Sequence, residues 1–216
     1  MMRTVYGRAT SSNVQLVMWT LAELGLDCER LDYGHDHGGL DTPEFGSMNP
    51  HRKVPVLRDG DLVVWESTAI LRYLASRYGD GGAFWPADPA GRAPVDMWAE
   101  WAKTTLAAGF THPIFWPRVR TPAADRDQAA LDAAITRFDA HLARLAEHLS
   151  DHDYICGDHF TAADIVAGHL LYRWFTIDVP RAANPTVEAY YDRLTWRPAY
   201  RAHVMVPYDT LRAEGA

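Results

Sequence analysis

Cysteine is nearly missing from this sequence. Cys28 and Cys156 are the two present in 216 residues, and they form neither a C-x-x-C pair nor a metal-ligand spacing. Unclustered cysteines read as reduced thiols of a cytosolic protein, which excludes a disulfide framework. A basic excess is missing as well. The net charge of −7 argues against nucleic acid or anionic membrane as the main partner, since both attract basic surfaces. No apolar run approaches the ~20 residues of a membrane span; the best candidate, Ile165 to Tyr172, is interrupted by Gly168 and His169. The first residues run straight into a strand-like segment without the apolar stretch of a signal peptide, so the expected setting is the cytoplasm. There is no G-x-S-x-G elbow, no Walker loop and no G-x-G-x-x-G. The pairs His35-x-His37 and His148-x-x-x-His152 lack cysteine company, so no metal site is expected.

What remains is an ordinary globular composition, 48% hydrophobic and 23% charged, long enough for one large domain or two small ones. Thr4-Val5-Tyr6 reads as a strand. Val14, Val17, Met18, Leu21 and Leu24 then recur at helical spacing up to Gly25, a helix C-cap residue. Leu31 and Tyr33 belong to a second strand, and a short helix follows near Thr42-Pro43-Glu44-Phe45. Val54 to Leu57 and Leu62 to Trp65 flank Asp59-Gly60, a strong hairpin signal. Ile70, Leu71, Tyr73, Leu74 and Tyr78 return to helical spacing. The expected order over residues 1–79 is β-α-β-α-β-β-α. Turn residues in 80–90 make a linker. Residues 91–216 read as all helix, with proline-opened starts at Asp88-Pro89, Thr121-Pro122 and Asn184-Pro185 and an apolar stripe from Leu131 to Leu149.

Three segments carry chemistry. Pro55 opens a strand-like run. It is either an ordinary edge proline or a cis proline that leaves the backbone of Val54 free to pair with an extended peptide. Glu66-Ser67 lies where a helix begins; the free N–H groups and Ser67 suit a ligand carboxylate, and Glu66 suits an ammonium. A γ-glutamyl head carries both groups. The turn Thr10-Ser11-Ser12-Asn13 precedes the first helix. Ser12-x-x-Gln15 matches a capping box, which leaves the Ser11 hydroxyl free to face a ligand. A hydrogen bond to a sulfur anion, aided by the helix dipole, would bring a thiol from ~8.5 to about 6–7. Thr161-x-x-Asp164 before an apolar run is another helix start, and Asp164 is expected to serve folding.

Together, the serine-rich turn, Pro43-Glu44-Phe45 with Asn49-Pro50, Lys53-Val54-Pro55-Val56-Leu57, Trp65-Glu66-Ser67 with Tyr73-Leu74, and Phe160 to Ile165 resemble the cytosolic glutathione transferase family. The motifs keep that family's order over nearly the whole chain, and the subclass looks bacterial and theta- or zeta-like, of serine type. The resemblance implies a thioredoxin-like glutathione-binding domain and an all-helical domain completing an apolar pocket. It implies a homodimer, with glutathione as co-substrate and no permanently bound cofactor. By position, Val54 and Pro55 would meet the cysteinyl backbone, Glu66 and Ser67 the γ-glutamyl end, and Lys53, with Arg52 or His51, the glycine carboxylate. Ser11 would face the sulfur, with Asn13 and Ser12 as alternatives. Phe110, Phe115 and Trp116 would line the pocket for a hydrophobic electrophile. Two positions depart from the pattern: Leu16 stands where a basic residue is common, and His51-Arg52 where Asn-Gly is usual. The reaction implied is conjugation. An isomerase, lyase or disulfide-bond reductase on the same scaffold and a non-catalytic binding module are the rivals.

Overall fold

The computed structural model of the chain describes residues 2–214. Strand β1 (Arg3–Tyr6), helix α1 (Ser12–Glu23) and strand β2 (Cys28–Leu31) come first. Helix α2 (Pro43–Met48), strands β3 (Val56–Asp59) and β4 (Leu62–Trp65), and helix α3 (Ser67–Tyr78) follow. The strands form one sheet in the order β2-β1-β3-β4. β1 runs parallel to β2, which requires a crossover, and α1 supplies it. β3 is antiparallel to both β1 and β4. The hairpin loop is Gly60-Asp61, because Asp59 itself pairs with Leu62; Gly60 takes φ +62, which costs a glycine no Cβ clash. Tyr33, expected in the second strand, lies beyond the end of β2. Its ring packs instead against Tyr6 and Phe45, in the small apolar cluster under α2.

Residues 79–88 lead from α3 to helix α4 (Pro89–Trp101), whose start is capped by the Asp88 carboxylate accepting from the Gly91 N–H at 2.7 Å. The chain then continues with wide π-helical turns over Ala102–Ala107 and Thr111–Arg120, separated by one α-turn, α5 (Ala108–Phe110). Pro113 and Pro117 fall in the second wide stretch. Neither has an N–H to donate, so a regular α ladder does not run through it. The helix expected to open at Thr121-Pro122 begins later, as α6 (Gln128–Leu149). Pro122 leads into a single tight turn, and Asp127 caps α6 by accepting from the Ala130 N–H at 2.9 Å. The stripe from Leu131 to Leu149 is buried along its length. Helices α7 (Ala162–Gly168), α8 (Leu171–Thr176), α9 (Pro185–Thr195) and α10 (Pro198–His203) complete the fold.

One apolar core runs from α1 and α3 into the helical region. Gly168 makes this possible at the closest point. A Cβ there would sit 2.5 Å from Leu194 and 3.1 Å from Trp19, so glycine is what lets α1 lie on α7. Arg197 then grips Glu23 of α1 with two hydrogen bonds of 2.7 and 2.6 Å and lies 3.7 Å above the Phe160 ring. The C-terminal end of α1 is thereby fastened to the helical region, which fixes where its N-terminus points.

Candidate functional site

The N-terminus of α1 opens into a cleft of about 340 Å³. Ser11, Ser12, Asn13, Lys53 and Val54 line it from the sheet side; Phe115, Trp116, Arg120 and Arg173 line it from the helical side. The capping box expected at Ser12 does not form. Ser11 is the N-cap (φ −87°, ψ 122°) and Ser12 is already helical. Gln15 cannot turn back to a serine because its buried amide is held by the Ala9 carbonyl at 3.0 Å. The Ser11 hydroxyl makes no capping hydrogen bond. It stands at the positive end of a helix dipole with its donor uncommitted among the described residues.

Asn13 is committed. Its Oδ1 accepts from the Lys103 ammonium at 2.8 Å and from the Ser67 hydroxyl at 3.3 Å, and Lys103 also donates to Ser67 Oγ at 3.0 Å. Lys103 thus ties the N-termini of α1 and α3 to the first wide turn of the helical region. Burial lowers its pKa from the usual lysine value, while Glu66 and Glu100 oppose the shift. Sequence reasoning missed Lys103, since a single lysine ninety residues from Asn13 carries no local signal. Ser67 is the first residue of α3 and is buried, whereas Glu66 before it is exposed and takes φ +69°, an uncommon backbone region for a side-chain-bearing residue.

The Val54–Pro55 peptide is cis. Neither the N–H nor the C=O of Val54 is hydrogen-bonded by another part of the described chain, so both are free to pair with an extended ligand. Asn49 shapes the approach to this bond. Its side-chain amide donates to the Lys53 carbonyl at 2.8 Å and its oxygen accepts from the His51 N–H at 2.9 Å. Gly7 is the point of closest approach on the other side. A Cβ there would meet Val14 at 2.4 Å and Val54 at 3.1 Å.

Not every residue singled out from sequence meets the cleft. Phe110 does not line it. It is 1% exposed, at the end of the single α-turn, and packs among Phe115, Phe138 and Trp174, because the wide turns rotate it into the core. Phe115 and Trp116 do reach the cleft. The Arg52 guanidinium, although at the cleft's edge, is used by the Leu40 and Thr42 carbonyls at 2.8 and 3.2 Å. His51 is exposed and rests edge-on against Trp65. Asp164 is far from this chemistry. It accepts from the N–H and hydroxyl of Thr161, the Ile155 N–H and the Tyr190 hydroxyl at 2.7–2.9 Å. Cys28 and Cys156 lie outside the cleft lining, and burial raises both thiols, Cys156 to about 11. Among the described residues no group of three His, Cys, Asp or Glu side chains is arranged to hold a metal ion.

The sheet, the cis proline and the two serine-bearing helix starts define a thioredoxin-like domain, closed over by an all-helical one. Comparison with known proteins makes the family specific. Residues 1–76 match the glutathione S-transferase N-terminal domain, and residues 128–193 match the C-terminal domain. The glutathione S-transferase GstB of Escherichia coli is 40% identical over 208 residues, spanning 95% of this chain and 99% of that protein. Glutathione S-transferase 3 of Zea mays is 32% identical, over 93% and 92% of the two chains. The theta class glutathione S-transferase of Xanthomonas axonopodis pv. citri, solved with glutathione bound, is 41% identical with a TM-score of 0.90, over 95% of this chain and 98% of that one. The chain belongs to the glutathione S-transferase family, and it is an enzyme of that family.

Proposed function

We propose that this protein binds glutathione along the Val54–Pro55 edge, holds its sulfur as the thiolate at Ser11, and presents it to an electrophile in the aromatic half of the cleft. The uncommitted Ser11 hydroxyl at the start of α1 carries this reading. The backbone of Val54 pairs with the cysteinyl unit of the peptide. The γ-glutamyl carboxylate sits at the start of α3, on Ser67 and the first free N–H groups, with the Lys103 charge behind it; the γ-glutamyl ammonium meets Glu66. Lys53, with His51 beside it, serves the glycine carboxylate, and Arg52 shapes the loop. Residues 1–79 form the glutathione domain and 91–216 the domain that completes the pocket, joined by 80–90.

The chemistry asked of the chain is small. A charge-assisted hydrogen bond gives roughly 1.5–3 kcal/mol, and the helix dipole adds up to about 1 more. Half-ionising a thiol of pKa ~8.5 at neutral pH needs about 2 kcal/mol, so the two suffice. The thiol proton leaves to solvent and proximity does the rest. Ser11 is favoured over Asn13 because Lys103 and Ser67 anchor the Asn13 oxygen, which holds the amide in place and leaves its N–H donors less free to follow a sulfur. Ser12 also lines the cleft and is the remaining alternative. A reductase using a protein cysteine has no support, as both thiols are pushed away from ionisation. A cytoplasmic homodimer is part of the same reading, and sedimentation checks the dimer.

Titration with glutathione, read by the ultraviolet absorbance of bound thiolate, tests the proposal. Saturable binding with a thiolate band is expected, and Ser11→Ala should bind glutathione while losing that band. A band that survives in Ser11→Ala and disappears in Ser12→Ala would move the sulfur contact by one residue. No saturable binding would sink the reading altogether.

A further inference from the structure

The cleft is cationic in an acidic protein. Its lining contains Arg8, Arg52, Lys53, Arg120 and Arg173 and no Asp or Glu, against a net charge of −7 for the chain. Glutathione accounts for part of this. Under the reading above its two carboxylates fall to the start of α3 with Lys103 and to Lys53, while the Arg52 guanidinium is spent on backbone carbonyls. Arg8, Arg120 and Arg173 are left over, next to Phe115 and Trp116.

These three arginines are not built as structural ones. Arg197 shows what a structural arginine looks like here, with Glu23 on both arms of its fork. Arg8, Arg120 and Arg173 have no carboxylate within salt-bridge distance among the described residues. Arg173 is 4% exposed. It spends one nitrogen on the Thr10 carbonyl at 2.7 Å and stacks 4.5 Å over the Phe115 ring, and its buried Nε has no partner. The buried Nε of Arg8 has none either. Arg120 lies 4.8 Å over the Trp116 ring and makes no hydrogen bond through its side chain among the described residues. Holding unpaired guanidiniums together in a partly dry cleft costs folding energy, and an anion entering the cleft relieves it. Burial brings the pKa of Arg173 down to about 10, which still leaves it charged at neutral pH.

We propose that the second substrate is an anion, an electrophile whose carboxylate or sulfonate is held by Arg173, Arg8 and Arg120 while an apolar body lies against Phe115 and Trp116. The inference rests on the thiolate reading and names the substrate class of that site. In a halide displacement the thiolate pair forms the C–S bond, and the halide departs with the pair of the C–halogen bond. The arginines hold the anionic end and take no proton.

The test uses the full-length protein with saturating glutathione and two matched ligand pairs. The first is 4-methylbenzoate and 4-methylbenzamide, followed by calorimetry. The benzoate should bind to the glutathione-loaded protein at least roughly tenfold more tightly than the amide, as expected for a charge-assisted contact. The second pair is 4-(chloromethyl)benzoate and 4-(chloromethyl)benzamide, which share the reacting carbon and leaving group; kcat/KM should favour the benzoate by a similar factor. In Arg120→Met, which sacrifices no hydrogen bond, both ratios should fall toward one. Arg173→Met should do the same, provided its circular dichroism matches the parent. Equal binding of benzoate and amide while the thiolate band is intact overturns this inference and leaves the thiolate reading standing. Benzoate binding that glutathione displaces also overturns it, because the arginines would then serve the peptide. Absence of glutathione binding marks failure of the thiolate reading itself.

Discussion

The starts of α1 and α7 share one local pattern and put it to opposite uses. Each has a hydroxyl residue followed at the third position by a side chain able to reach back: Ser12 with Gln15, and Thr161 with Asp164. At α7 the pairing forms, and Asp164 collects four hydrogen bonds while fully buried. At α1 it does not. Gln15 is drawn to Ala9, the cap moves to Ser11, and the Ser11 hydroxyl keeps its donor. A helix start whose groups are all satisfied stabilises the fold, and one left incomplete is a binding site in waiting.

The largest effect that would break this contrast is at Asp164. Asp164→Ala strands four buried donors and should cost about 3–4 kcal/mol, a drop of roughly 10 °C in Tm for a chain of this size. Calorimetric unfolding measures it, and a loss below about 1 kcal/mol would mean that the cap at α7 is dispensable. Ser11→Ala should show the reverse profile. Its stability should stay within about 0.5 kcal/mol of the parent because no cap bond is lost, while kcat/KM falls roughly 10- to 100-fold. Equal losses of stability in the two variants would erase the distinction.

Between these extremes lies Gly7→Ala. The added Cβ would press on Val14 and Val54 at a backbone φ of +152°, and should cost about 1–3 kcal/mol. Because Val54 shifts, glutathione Kd should rise as well, which equilibrium titration reads; an unchanged Kd would uncouple Val54 from the peptide.

The comparison is also sharpened through pH. His169 follows α7 and is 1% exposed; burial, with Lys103 and Arg173 adding to it, brings its pKa down to about 3. The unfolded chain takes up a proton near pH ~6.5 and the folded one does not, so His169's contribution is complete above that pH and is lost as pH falls toward 3. Between pH 6.5 and 4.5 the parent should lose up to ~2–3 kcal/mol through this group. His169→Gln should flatten that slope in denaturant titrations run at each pH. Asp164, whose carboxyl burial raises, acts in the opposite sense and nearer the carboxylate range. The difference between parent and variant isolates the histidine; parallel slopes would discard its role.

Much of the molecule was legible because the signals are local. The hairpin signal (one residue off in its loop), the period of α6 and the proline-opened starts at Asp88 and Asn184 depend on neighbours within a few residues. The two wide-turn stretches were not legible, and Phe110 was misplaced with them: its position near the end of the long helix suggests the cleft, while the actual winding buries it. Thr121-Pro122 misled for a similar reason, since a proline start is compatible with a single turn that goes no further.

By itself the sequence determined the order of the sheet-domain elements and the thioredoxin-like frame, and it singled out Val54-Pro55 and Glu66-Ser67 as candidate ligand-facing segments, because each of these is written in contiguous residues. Only the tertiary structure decided how the turn before α1 is used, with Ser11 as the cap and the Asn13 oxygen taken. That choice depends on where the Gln15 amide finds its partner, and on Lys103 crossing from the helical region to occupy Asn13 and Ser67. The cationic half of the cleft has the same origin. Arg8, Arg120 and Arg173 lie far apart in the chain, and their shared field exists only where three separate segments are packed to one point.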